Sequence, residues 1–234
     1  MVSGPILRSL APSLLRPRPR FSSTRDADAA PLVRRFPVLF LRRLANHNMS
    51  LYAQLDELER CGITPSFGIG VAELLVAYAE RQYEKDPFRL LLMALGGELN
   101  DPPHGLLSEN VWHLRVGSIA GPGDYARIAL RMAILAQGNL PITEVADEID
   151  YAAGLVWLSF RLGDEQVSWP ARIREHWIDP DLFSRFALLL EAQDTPRRFT
   201  YLDLGGQDAL LGCATPRQFA DLRRRTGLSF QWLG

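Results

Sequence analysis

Glu175, His176, Asp179 and Asp181 crowd into the run EHWIDPD, the densest polar cluster of the chain. An imidazole beside carboxylates can hold a metal ion or pass a proton, because histidine is the one side chain whose ordinary pKa lies near neutrality. Glu175, His176 and Asp179 are therefore the candidate catalytic set of a hydrolase or metal-dependent enzyme. A plainer reading competes with it. Asp179 precedes Pro180 as a helix N-cap, Asp181 favours the helix dipole, and Glu175-His176 ends a strand. His104, in DPPHG, and His113 are too distant in sequence to be joined to the cluster without a structure. No metal ligand set and no cofactor site is read here.

Other chemistries leave weaker traces. Gly68-Ile69-Gly70 precedes a helical pattern, but Glu73 stands where a dinucleotide fingerprint needs its third glycine, so these glycines read as a helix start. No Gly-x-Ser-x-Gly elbow is present. Cys213, in LLGCAT, lies one residue before a helix start, where a thiolate can be acidified, yet its apolar strand reads more simply as a buried structural position. Cys61 sits at a helix end. The two cysteines have no CxxC spacing, hence neither a zinc signature nor a disulfide framework, and they fit reduced thiols in a cytosol-like compartment.

The elements that must position these residues follow from periodicity. Val156, Leu158, Phe160 and Leu162 alternate, as do Val167, Trp169, Ala171 and Ile173, which is the period of a half-buried antiparallel sheet. Their hairpin turns near Gly163-Asp164, and Pro170 marks an edge or a bulge. A second hairpin, RRFTYLDLGGQDALLGC, turns at Gly205-Gly206. Thr215-Pro216-Arg217-Gln218 is a capping box, Gly227 stops its helix, and Leu228, Phe230 and Trp232 alternate as a closing strand. Helical spacing is read over residues 50–60, 70–84, 124–137 and after Asp179-Pro180, with another helix opened by Asp86-Pro87 and closed at Gly96-Gly97. Residues 111–116 make a short strand, and 141–150 are either a strand or an acidic edge segment. The fold class expected is α+β: an antiparallel sheet of roughly five or six strands with helices on one face, preceded by a small helical layer. Residues 49–234 are read as a single domain, helical to residue 140 and sheet-rich after it.

Charge divides the chain. Residues 1–48 hold nine arginines and two aspartates, net +7, while the remainder is net −8. Arginine-rich, serine-rich and acid-poor composition before Asp26 fits a mitochondrial transit peptide. It also fits an upstream extension ahead of Met49, or a basic arm. The longest uncharged stretches, Cys61–Ala72 and Met132–Thr143, are 12 residues each. A spanning helix needs about 20, so no membrane association is expected. Nucleic-acid binding needs a basic face; the folded part is acidic, and Arg197-Arg198 and Arg223-Arg224-Arg225 read as a strand start and a helix C-terminus.

The C-terminal block from His176 to Leu233, with WIDPDLFSRFALLL, RRFTYLDLGGQDALLGCAT and TGLSFQWL, resembles uncharacterised bacterial proteins similar in size and style to the antitoxin immunity proteins of interbacterial toxin systems. The resemblance implies a small cytoplasmic protein that blocks a basic toxin by surface complementarity. It assigns no residue a role. Trp112, Trp157, Trp169, Trp177 and Trp232 all fall in or beside strands, some for the core and others for an exposed sheet face. The leading expectation is thus a non-enzymatic acidic module that binds a basic protein partner, with Trp177, Asp179, Gln207 and Asp208 as the candidate binding residues.

Overall fold

Strands rich in alternating apolar residues and helices with one apolar stripe can bury their surface only against each other, and the computed structural model shows how they do so. It describes residues 49–98, 105–115, 121–172 and 178–234. Among these the helices are α1 (Leu51–Glu59), α2 (Val71–Ala77), α3 (Glu80–Lys85), α4 (Arg89–Leu95), α5 (Asp124–Leu135), α6 (Asp181–Glu191) and α7 (Pro216–Thr226). The strands are β1 (Val111–Arg115), β2 (Ile142–Asp150), β3 (Leu155–Leu162), β4 (Glu165–Arg172), β5 (Arg198–Gly205), β6 (Asp208–Ala214) and β7 (Gln231–Trp232). The fold is α+β and every pairing is antiparallel.

The strands divide into two sheets, one ordered β1-β6-β5-β7 and one ordered β2-β3-β4. A single sheet was the expectation; the division follows from burial. On β5 and β6 both parities are apolar: Phe199 and Leu211 join one core with α5, α6 and the three-stranded sheet, while Leu202 and Leu210 join another with α1–α4 and α7. A sheet covered on both faces reads as a near-continuous apolar run such as DALLGCA. Among the described residues, the three-stranded sheet is covered on one face only. Val156, Leu158 and Phe160 are fully buried, and Phe160, Trp169 and Phe186 meet with ring centroids 4.9–6.0 Å apart.

The hairpin β3–β4 turns at Gly163-Asp164 with Gly163 at φ +59, a conformation that a residue without Cβ adopts freely. Pro170 lies on β4, an edge strand, as its missing donor requires. Residues 142–150 form the other edge strand, irregular between Thr143 and Ala146, where Glu144 has φ +50.

The helical pattern over residues 70–84 is interrupted. Tyr78 is extended (φ −148, ψ 148), separating α2 from α3. Two side chains stabilise the break: the Tyr83 hydroxyl donates to the Leu74 carbonyl at 2.6 Å, and Gln82 Oε1 accepts the Ala79 N–H at 2.9 Å. The helix expected at Asp86-Pro87 begins instead at Arg89, because Phe88 takes φ +65 to bury its ring completely. Its N–H donates to Gln54 Oε1 at 2.9 Å. Gln54 is itself fully buried, and its Nε2 donates to the Met49 and Tyr83 carbonyls. One side chain thus satisfies three main-chain groups from three segments.

The Thr215 capping box and the Gly227 stop stand as the spacing requires. No helix among the described residues is long and apolar enough to cross a membrane.

Candidate functional site

Among the described residues, two places set an aromatic or imidazole ring beside a carboxylate with which no hydrogen bond is formed. The first is the outward face of the three-stranded sheet. Strand alternation sends Val156, Leu158 and Phe160 inward and leaves Trp157 outward on the central strand, 46% exposed. Register sets Glu148 of β2 opposite Trp157 on one side and Pro170 of β4 on the other. The next rung, Ala146, Ser159 and Ser168, carries only small side chains. The indole therefore stands beside a low shelf. Tyr151, 68% exposed, follows β2 at one end.

The charges of this face are unevenly spent. Arg161 lies 3.8 Å from Glu144, and Arg185 donates to the Pro170 carbonyl at 2.7 Å. Asp150 accepts the Ala153 N–H within the β2–β3 turn. The Glu148 side chain is exposed, and its carboxylate makes no hydrogen bond or ion pair among the described residues. The carboxylate directly opposite the indole in the β2–β3 register is thus exposed.

The second place is a cleft of about 700 Å³ along β1, lined by the α4 end (Gly96, Gly97), Tyr78, Trp112–Arg115, Arg127, Ile128 and Ile178. Gly96 is required there: a Cβ on it would stand 2.3 Å from the His113 nitrogen, and the Gly96 carbonyl accepts that N–H at 2.9 Å. His113 Nε2 lies 3.3 Å from Asp208 Oδ1, and Arg115 Nε lies 3.6 Å from the same oxygen. The His113–Asp208 approach is off the hydrogen-bonding direction, so both atoms are buried without a formed bond. Burial holds His113 below the ordinary histidine pKa, partly opposed by the Asp208 charge. At neutral pH the imidazole is uncharged. Behind the cleft wall Arg131 is buried, donating to the Ser108 and Val111 carbonyls, with Nε and Nη1 unpartnered among the described residues. Burial pushes its pKa down to about 10, so it stays a cation.

The sequence candidates fall as follows. Glu175, His176, Trp177 and His104 lie outside the described residues. The Asp179 carboxylate serves the backbone: Oδ2 accepts the Arg172 N–H at 3.0 Å and Oδ1 the Asp181 N–H at 3.1 Å. Tyr125 Oη accepts the Asp179 N–H and donates to the Arg172 carbonyl, so these two positions are held together. Gln207 is exposed on the β5–β6 turn, while Asp208 faces His113. Burial pushes both thiols, Cys61 and Cys213, up to about 11, which keeps them protonated.

The basic runs are locally engaged: Arg198 bonds the Thr195 and Arg197 carbonyls, Arg224 pairs with Asp221, and Arg225 with Glu57. Among the described residues no group of three His, Cys, Asp or Glu side chains could hold a metal ion. Glu148 and the His113–Asp208 pair escape a sequence reading. The first is signalled only by its place in a register, and the second joins residues brought together by the β1–β6 ladder.

No protein-family model matches the chain, no curated protein matches it, and no solved structure matches its fold.

Proposed function

We propose that this chain is a non-enzymatic, acidic protein-binding module whose outward β2–β3–β4 face takes up a basic protein partner. The observation that carries the reading is Trp157, nearly half exposed at the centre of an uncovered sheet face beside the unpaired Glu148. Large aromatics at the centre of flat surfaces anchor interfaces, and a net charge of −8 over residues 49–234 steers basic partners towards it. An inhibitor of the immunity-protein kind, acting in a bacterial cytoplasm by covering a basic toxin surface, is the form this function takes. A photo-crosslinking residue at the exposed position 166 of the same face, with Trp157 left in place, recovers the partner from the full chain, which is then purified and titrated. Trp157→Ala weakens the partner's affinity about tenfold or more, as interface anchors do. Unchanged affinity in Trp157→Ala removes the face from the account.

A second reading rests on the cleft. A neutral, half-buried histidine 3.3 Å from a carboxylate can serve as a general base, so an enzyme working through His113 and Asp208 stands as a second reading beside one built on Glu175, His176 and Asp179. Hydrolysis across a panel of ester and phosphoester substrates that His113→Gln abolishes would favour this reading over binding.

A further inference from the structure

The three-stranded sheet specifies what kind of group its partner presents. We infer that the Trp157–Glu148 pair is a receptor for an arginine side chain, the guanidinium lying on the indole while its N–H groups meet the carboxylate. The inference rests on the protein-binding reading above and deepens it.

Three observations point to a guanidinium. First, residues directly opposite on neighbouring strands have Cβ atoms about 4.5–5.5 Å apart, so the Glu148 carboxylate stands within reach of a planar group laid on the Trp157 ring. Second, neither member finds a cationic partner among the described residues. Among those residues the cation that stands over an aromatic ring is Arg223 over Phe219, 5.6 Å from its centroid, not one over Trp157. Third, Ala146, Ser159 and Ser168 leave the space beside the indole open, so a long side chain can approach flat along the strand.

Arginine fits this geometry better than lysine. Its planar, weakly hydrated guanidinium stacks on an aromatic face while forking two N–H donors to a carboxylate; an ammonium offers a compact point charge that satisfies one demand at a time.

The test uses the full chain, labelled with ¹⁵N at its tryptophan indoles, with the Trp157 resonance identified by its absence in Trp157→Phe. It is titrated at low ionic strength with three short glycine-serine peptides carrying arginine, lysine or citrulline at the same positions. The expected result is a saturable shift of the Trp157 indole with the arginine peptide, about threefold or more weaker binding of the lysine peptide, and no shift with citrulline. Glu148→Gln lowers the arginine peptide's affinity up to about fivefold, the range of an exposed ion pair. Equal binding of lysine and arginine, an unmoved Trp157 indole, or full affinity in Glu148→Gln overturns the inference. The two readings fail separately: a crosslinked partner lost in Trp157→Ala alongside an unmoved indole leaves protein binding standing and removes the arginine receptor. Loss of both removes the face altogether.

Discussion

Asp147, on β2, accepts the backbone N–H of Tyr125 at 2.8 Å and so closes the N-terminus of a helix that precedes it in the chain. The same carboxylate accepts the N–H groups of Gly123 and Ala126, at 2.6 and 3.0 Å. Gly123, the residue at the helix cap, has no side chain to do this. The first turn of a helix leaves its N–H groups without partners, and an oxygen that meets them is worth about 1–2 kcal/mol. Asp147→Ala should lower stability by about that amount in urea unfolding with unchanged slope, and an unchanged midpoint would show the cap to be dispensable.

Gln54 is the other polar side chain on which the packing depends. Gln54→Leu keeps the volume but strands the Phe88 N–H and leaves the Met49 and Tyr83 carbonyls without their donor. An unsatisfied buried group costs about 1–3 kcal/mol, so the loss should reach at least about 2 kcal/mol, with earlier hydrogen exchange at Phe88. A leucine variant as stable as the parent would mean that water replaces the glutamine.

Gly96→Ala tests the close approach of α4 to β1. The added methyl would meet the His113 nitrogen, a backbone atom that cannot swing aside. Overpacking of this kind costs about 1–3 kcal/mol. Protection of the His113 N–H, bonded to the Gly96 carbonyl, should fall in parallel; retained protection at full stability contradicts the contact.

His113 should titrate below the ordinary histidine value of 6.5, because desolvation disfavours its charged form. Its folded-state pKa is depressed, so the unfolded chain binds more protons between the two values. Its contribution to stability is accordingly present above about pH 6.5 and is lost as pH falls through that window. Asp208→Asn removes the charge that partly holds the proton and should move the titration lower still. A histidine resonance titrating above 6.5, or one that rises in Asp208→Asn, contradicts the arrangement.

What could be read from the residues alone was whatever depends on neighbours in sequence. The inward parity of Val156, Leu158 and Phe160 is a period of two, and it delivers Trp157 to the outer face without further information. Thr215 and Gln218 lie three apart and cap their own helix. The division into two sheets is different in kind: β1 pairs with β6, so Val111 meets Gly212 across most of the folded chain, and no local pattern records it. Tyr78 breaks a helical pattern because the Tyr83 hydroxyl claims the Leu74 carbonyl, a choice that only the folded packing makes. The candidate site shares this split. Trp157 is visible from alternation, Glu148 becomes its neighbour only through the β2–β3 register, and His113 finds Asp208 only once the four-stranded sheet has formed.

Binding of a basic protein by the outward face of β2–β3–β4 is tested most directly by the affinity of the purified partner recovered through position 166. Wild type, Trp157→Ala, Glu148→Arg and a control on the far surface of α6, Leu188→Ala, would be titrated by calorimetry at two salt concentrations. Trp157→Ala and Glu148→Arg should each weaken binding about tenfold or more, Leu188→Ala should leave it unchanged, and salt should weaken the wild-type complex. Equal affinity across all four proteins would contradict binding through this face.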